Sequence, residues 1–384
     1  LFKNVSDQIL FTASFGGGLF DLPAGEVAIS VNGEYRKDKL RFTSNVLNQF
    51  GRGRAAPSSN FGAFTETFEG GVEARIPVTG DDFLSFFGEL ELNPAFRVTK
   101  SSGAADKYRN TAGVAIAPES SGKAEIIYSL AGSWKPVNDL RIRANYTKSV
   151  RQPSVVELFL GGQPVFTTPT DFCSPGNLTA AAPAVRRTNC RAAVIASGLA
   201  SDPVTADAFL ATFQPAGVGL SGTYAGNTGL QPEKATSWTV GSTLTPSQIS
   251  GLSISADYIH LDLNGTIVPT GLGQGIQSCY DSPNYPDTSS ETGTNLCNSF
   301  TRDSAFQIAN GYSLTFLNLG SIRVRAVNIS AAYPIDLGNL GKISLRTNAY
   351  RLLKYETAAS GDFSLDGIRS DGTFSRPKWE IQTS

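Results

Sequence analysis

The side chains best equipped for chemistry here are four cysteines and a single histidine, and their settings point to structure more than to catalysis. Cys173 and Cys190 fall in one long polar stretch, Cys279 and Cys297 in another. Each pair is local, lies among polar residues and has no histidine beside it, which favours two disulfides over a metal site, with four unpaired thiols as the alternative. Bridging loops of that size constrains each by roughly 3 kcal/mol in the chain-entropy picture. Disulfides also require an oxidising compartment, here the periplasm or the cell surface. His260 stands two residues before Asp262, and one imidazole makes no Ser-His-Asp set without a nucleophile in a recognisable context. It reads as a residue of a lumen or an interface. Gly271-Leu-Gly-Gln-Gly275 follows Pro269 in what reads as a loop and is expected to open no helix, so it makes no phosphate cradle. Asp281-Ser-Pro-Asn-Tyr-Pro-Asp287 has spaced oxygens, but two prolines break calcium-loop geometry, leaving a solvated loop. The expectation is therefore no enzyme, no cofactor and no metal.

The elements that must position these groups are strands. From Leu84 to Val98 the even positions are mostly apolar (Leu84, Phe86, Leu90, Leu92, Phe96, Val98), and the odd ones carry Ser85, Glu89, Glu91, Asn93 and Arg97. From Leu140 the even side reads Leu140, Ile142, Ala144, Tyr146, and the odd side Arg141, Arg143, Asn145, Thr147. A period of two places these sets on opposite faces of a β-strand. The same pattern predicts strands over Asp7–Gly17, Glu26–Lys37, Phe61–Pro77, Phe83–Thr99, Lys123–Lys135, Leu140–Arg151, Glu233–Thr245, Leu252–Asn264, Ser313–Ile335 and Lys342–Tyr355, with Arg376–Ser384 starting another. Within Leu252–Asn264 the apolar set moves from even to odd positions, which predicts a bulge or a change of face. Ala-rich stretches at Ala180–Ala184 and Ala192–Ala211 suit a short helix or two.

The connections alternate as well. Leu19–Gly25, Val78–Asp82, Pro136–Asp139, Pro246–Gly251 and Asp336–Gly341 are short and rich in Gly, Pro, Asp and Asn, as tight turns are. Between them run long polar loops at 38–60, 100–122, 152–232, 265–312 and 356–375. Short turns on one side and long loops on the other are the stringing of an outer-membrane barrel. The fold class expected is all-β, an antiparallel up-and-down transmembrane β-barrel with short periplasmic turns and long extracellular loops, a single partial barrel domain over residues 1–384. No run of about 18 apolar residues occurs, which excludes a helical span but not a strand whose alternate residues face lipid. Net charge is −1 and no basic cluster with interleaved aromatics occurs, which argues against a nucleic-acid partner. Aromatics near strand ends (Phe83, Phe86, Phe87, Tyr128, Trp134, Tyr146, Trp238, Tyr258, Tyr333, Tyr350, Tyr355) suit a girdle at headgroup level, with core packing as the alternative.

The segment Leu140-Arg-Ile-Arg-Ala-Asn-Tyr-Thr-Lys-Ser-Val-Arg-Gln-Pro-Ser-Val-Val-Glu-Leu-Phe159 resembles the strand-to-loop signature of TonB-dependent outer-membrane receptors, and Gly226-Asn-Thr-Gly-Leu-Gln-Pro-Glu-Lys-Ala-Thr-Ser-Trp238 resembles the return from that loop. Asp21–Gly25 with Gly33–Arg36, Phe68–Pro77 and Asn318–Arg325 agree in order. The matching rim residues are Arg151, Pro153, Glu157, Leu158, Phe159, Pro232 and Glu233. The resemblance implies about eleven strands of a 22-stranded barrel, with the N-terminal plug, the TonB box and the final strands outside this stretch. It further implies a Gram-negative outer membrane, surrounding lipid, and import of a scarce nutrient powered by the TonB–ExbB–ExbD system. The ligand class left open is a siderophore, cobalamin or a carbohydrate. A passive porin is the alternative, and a surface adhesin without transport a more distant one.

Pro153 fixes its own torsion and biases Gln152 toward an extended form, so the chain leaves the wall there and Arg151 is free to bridge Glu157 as a structural corner. Arg186, Arg187, Asn189, Arg191, Tyr224, Tyr280, Asn284 and Tyr285 are the loop side chains expected to reach a sugar, a siderophore or a peptide, and any solvated loop carries similar residues.

Overall fold

The structure, a computed structural model, describes residues 2–49, 52, 58, 60–106, 108–109, 115–116, 118–179, 182–289, 295–338, 341–358 and 379–383. The wall strands are β1 (Phe2–Leu22), β2 (Gly25–Ser44), β3 (Phe61–Thr79), β4 (Glu89–Ala105), β5 (Glu125–Val137), β6 (Leu140–Arg151), β7 (Glu233–Leu244), β8 (Ser253–Pro269), β9 (Tyr312–Asp336), β10 (Lys342–Ala358) and β11 (Trp379–Thr383). Each bonds antiparallel to the next in chain order, so the wall is a meander in which every tight turn joins spatial neighbours. Among the described residues β1 and β11 do not pair with each other, and the sheet is open.

Register explains the two faces. Phe15, Val31, Val72, Phe96 and Tyr128 stand opposite one another across β1 to β5. Apart from the half-buried Val72 this row is exposed and apolar, with Phe15 at 77% and Phe96 at 46%. On the other face, Arg143 of β6 and Asp257 of β8 flank Gly241 of β7 and join in a bidentate ion pair of 2.9 and 2.6 Å. A Cβ at Gly241 would lie 1.9 Å from the Asp257 carboxylate, so the glycine makes room for the bridge. Arg97 and Thr99 likewise both donate to Glu69 at 3.1 Å. Charges paired on one face and bare hydrocarbon on the other are the split that a lipid-embedded wall requires.

Most predicted strands are present, and Leu140–Arg151 matches to the residue. The clearest departure is Phe83–Gly88, which is no strand: Ser85–Phe87 form a single 3₁₀ turn, with Leu84 at φ 52° and Gly88 at φ 73°. A Cβ at Gly88 would sit 2.1 Å from the Lys135 carbonyl, so the alternation that reads as strand belongs to an interfacial turn. Trp134 Nε1 donates to the Phe87 carbonyl at 2.7 Å and pins that turn. No bulge interrupts Leu252–Asn264; the apolar set changes face there in unbroken register, and the shift comes later, around Gly265 and Thr266. Tyr350 and Tyr355 stand opposite Asn328 and Val324, on the inner side of the wall and outside the girdle. Several strands outrun their expected ends at the long-loop side, β2 to Ser44, β4 to Ala105 and β8 to Pro269. Residues 359–375 of the last long loop, residues 376–378 and 384 of the final segment, and 339–340 of the last turn lie outside the described residues.

Helices sit in the loops: α1 (Val46–Gln49), α2 (Val155–Phe159), α3 (Ala184–Ala196), α4 (Pro203–Thr212) and α5 (Leu272–Asp281). The Ala-rich stretches hold α3 and α4. The glycine cluster at Gly271, expected to open no helix, caps α5, because Leu272, Ile276, Cys279 and Tyr280 recur at helical spacing and bury one face. None of the described helices is long and apolar enough to cross a membrane.

Candidate functional site

Where β6 leaves the wall, Arg151 makes two bidentate pairs: to Glu233 at 2.7 and 2.7 Å and to Glu157 at 3.0 and 3.0 Å. Pro153 is buried at the bend, and Ser154 caps α2 by accepting from the Glu157 amide while the Glu157 carboxylate accepts from the Ser154 amide. Burial pushes the Glu157 carboxyl upward, but Arg151 and Ser154 together hold it below its ordinary value. Glu233 is 7% exposed and also accepts from the Ile267 amide at 2.8 Å, so the corner binds the end of β6, the start of β7 and the top of β8. Leu158 and Phe159 pack with Val155, Leu230, Ile267 and Ala63 in a small core. That core draws α2 against β2, β3 and β4, which are remote from β8 in the sheet. Pro232 is buried beside it. The rim residues therefore converge into one corner. Gly226 completes it: its amide bonds to the Leu160 carbonyl at 2.9 Å, and a Cβ would meet the backbone of residues 158–160 at 2.5–2.6 Å.

Beyond the corner, the loops 152–232 and 265–312 merge into one module with its own core, built around Val194, Leu210, Ile276, Phe306 and Tyr312. Both disulfides are formed, Cys173–Cys190 and Cys279–Cys297. The loop strands Gln163–Thr167 and Leu220–Ala225 form a hairpin, and the second runs parallel to the start of β9, an exception to the antiparallel pattern. Arg302 holds the two loops together. Its guanidinium pairs with Asp171 at 2.7 and 2.9 Å, donates to the Phe306 carbonyl at 2.6 Å and the Tyr280 hydroxyl at 2.9 Å, and lies 4.0 Å over the Phe306 ring. Side-chain exposures of 9% and 2% mark Arg302–Asp171 as a buried pair with its hydrogen bonds met.

Most of the loop residues expected to reach a ligand are engaged within this module. Arg186 is buried, pairs with Asp281 at 2.5 and 2.6 Å, and lies over Phe172. Asn189 donates to the carbonyls of Tyr280 and Ser282. Arg187 and Arg191 share Asp207, whose carboxyl they hold below the usual range, Arg191 above all. Tyr280 stacks on Tyr285 at 5.6 Å, and the Asn284 amide donates to the Ser282 hydroxyl. The structure brings Arg186, Asn189, Tyr280, Asn284 and Tyr285 together and sets Tyr224 apart, edge-on to Phe316 near the rim corner. Burial raises Tyr224 and Tyr285 to about 12. Asp171 and Arg302 carry no mark in the sequence, since no local pattern links residues 131 apart. His260 stacks on Trp238 at 5.2 Å and bonds to Asp262 at 2.8 Å, on the face of the aromatic girdle. Among the described residues no cluster of His, Cys, Asp and Glu could hold a metal ion.

The sequence matches the family described as TonB dependent receptor-like, beta-barrel, over residues 3–382. No curated protein sequence matches it. Among solved structures, the alcaligin outer-membrane receptor of Bordetella pertussis is similar at 11% identity and a TM-score of 0.45, covering 100% of this chain and 43% of that one. The ferric enterobactin receptor of Pseudomonas aeruginosa, in a mutant form, is similar at 12% identity and 0.43, covering 91% and 44%. The copper transporter OprC is similar at 11% identity and 0.49, covering 99% and 41%. The chain spans less than half the length of each of these three.

Proposed function

The chain belongs to the TonB-dependent receptor family, in its β-barrel, and on that premise we propose that it supplies barrel wall and ligand-gathering outer loops to an importer of a scarce nutrient. The family is one of outer-membrane transport receptors and not of enzymes. In this reading the wall sits in the outer membrane of a Gram-negative bacterium, the module faces the medium, and uptake draws energy from the TonB–ExbB–ExbD system through a plug. The ligand is of the siderophore, cobalamin or carbohydrate class.

The observation that carries the reading is the family match from residue 3 to residue 382. The two-faced wall and the Arg151 corner support it. The module's interior is filled by its own ion pairs and rings, so its ligand contacts fall to outer-surface side chains, and Arg187 and Asn284 are the exposed members of the expected set.

The test is uptake by cells expressing the full-length gene, with and without TonB, offered labelled ferric siderophores, cobalamin and oligosaccharides separately. Accumulation of one class only when TonB is present is the expected result. Equal uptake without TonB would make the protein a porin, and surface retention without entry would make it an adhesin.

A further inference from the structure

The apolar face of the wall changes character at its long-loop end. Phe11, Tyr35 and Phe68 form a row across β1, β2 and β3, with ring centroids 6.3 and 4.9 Å apart. Continuing on the same face toward the long loops, β2 presents Lys37, Lys39 and Arg41, and β1 presents Asp7, Val5 and Lys3. Lys37 is accounted for: it pairs with Glu66 at 2.5 Å and lies 4.3 Å over the Phe64 ring. Lys3, Lys39 and Arg41 are exposed, and among the described residues none lies within ion-pair distance of a carboxylate. They line a groove of about 680 Å³, together with Phe64 and the carboxylates Asp7 and Asp106.

Three cations against two carboxylates leave this groove positive. Its depth is the informative feature: aromatic rings on a lipid-facing surface mark the headgroup level, and the groove opens just beyond them on the same face. A soluble ligand on its way through a barrel would not meet that surface. A phosphate would, if it belonged to a lipid, and Arg41 with two lysines matches phosphate oxygens. The carboxylates suit hydroxyls on the same headgroup as hydrogen-bond acceptors.

We propose that Lys3, Lys39 and Arg41 form a binding site for the phosphorylated, hydroxyl-bearing headgroup of an outer-leaflet lipid, holding a lipid against the β1–β3 wall. The proposal rests on the reading of the apolar face as lipid-facing. It is tested on the full-length receptor extracted from its own membrane, by measuring bound lipid phosphorus per protein in the wild type and in a Lys39→Glu/Arg41→Glu variant. A several-fold loss of bound phosphorus is expected, with Lys39→Gln/Arg41→Gln showing a smaller loss if the reversal does not fold. Unchanged phosphorus in both variants overturns the site. A second arm titrates delipidated receptor with inorganic phosphate or with detergent micelles containing phosphorylated lipid, reading the melting midpoint. A rise with the lipid alone is expected, and an equal rise with inorganic phosphate overturns the lipid assignment. Heat-modifiable gel mobility of the wild type is read in parallel, because its absence would overturn the barrel reading itself.

Discussion

In the wall, neighbours in space are neighbours in sequence: β5 turns into β6 through Asn138 and Asp139, and the ladder of β6 to β7 begins where the long loop returns at Glu233. In the module the decisive contact joins Asp171 to Arg302, 131 residues apart. The wall exposes its large apolar side chains, Phe15 and Phe86 among them, and buries few; the module hides Val194, Ile276 and Phe306 completely. One region is held by backbone ladders and by the lipid it faces, the other by side-chain geometry, disulfides and a core such as any water-exposed domain needs. A protein assembled on these two terms should come apart in two stages, the module being open to mutations that leave the wall intact.

The largest expected effect is on the buried pair. Arg302→Ala leaves Asp171 charged, buried and unpaired, and should cost the module about 3–5 kcal/mol. Hydrogen exchange should rise across 163–225 and 272–311, while the gel mobility of the folded barrel stays unchanged. Loss of the barrel band as well would mean that the two regions are one cooperative unit. Breaking a disulfide comes next: Cys173→Ser with Cys190→Ser should cost roughly 3 kcal/mol, read as faster proteolysis within 172–213 and sparing β6 and β7. Gly226→Ala sits at the seam. Its Cβ would lie 2.5–2.6 Å from three backbone atoms of residues 158–160, so about 1–3 kcal/mol of overpacking strain is expected there. It should loosen the return loop and lower ligand uptake with the module core intact.

The smallest effect separates the regions by pH. Burial raises Tyr224 and Tyr285 to about 12, against an ordinary value of 10.0. A phenol whose folded pKa is raised contributes stability that is fully present below its unfolded pKa and lost as pH climbs between the two. The module should therefore loosen between pH 10 and 12, with a late tyrosinate absorbance step that Tyr224→Phe diminishes. A single step near the ordinary value would contradict the burial of these rings.

The wall was legible because its signal is local. A period of two survives any uncertainty in tertiary structure, and Leu140–Arg151 is placed to the residue. Where local signals failed, the cause was also local. Leu84 and Phe86 alternate like a strand yet lie in a turn, since interfacial aromatics are chosen for depth and not for pleat. The glycines at Gly271–Gly275 obscured α5, whose buried spacing outweighs their helix penalty. The rim corner was half visible: Arg151 to Glu157 is near in sequence, but Glu233, its second partner, comes back only when the loop closes. Arg186 and Arg191 looked like surface cations because charge in a loop sequence says nothing about a partner in another helix or another loop.

The central claim is that the wall has one face in lipid and one in water. The described cysteines are all disulfide-bonded, so they do not compete for a spin label with single cysteines placed one at a time at Thr239, Val240, Ser242 and Thr243 of β7 in the full-length protein. In native outer membrane, labels at positions 240 and 242 should be relaxed by dissolved oxygen, and those at 239 and 243 by a water-soluble nickel chelate, the faces alternating along the strand. Equal access of the chelate to both sets would contradict the account, since β7 would then have no lipid-facing side.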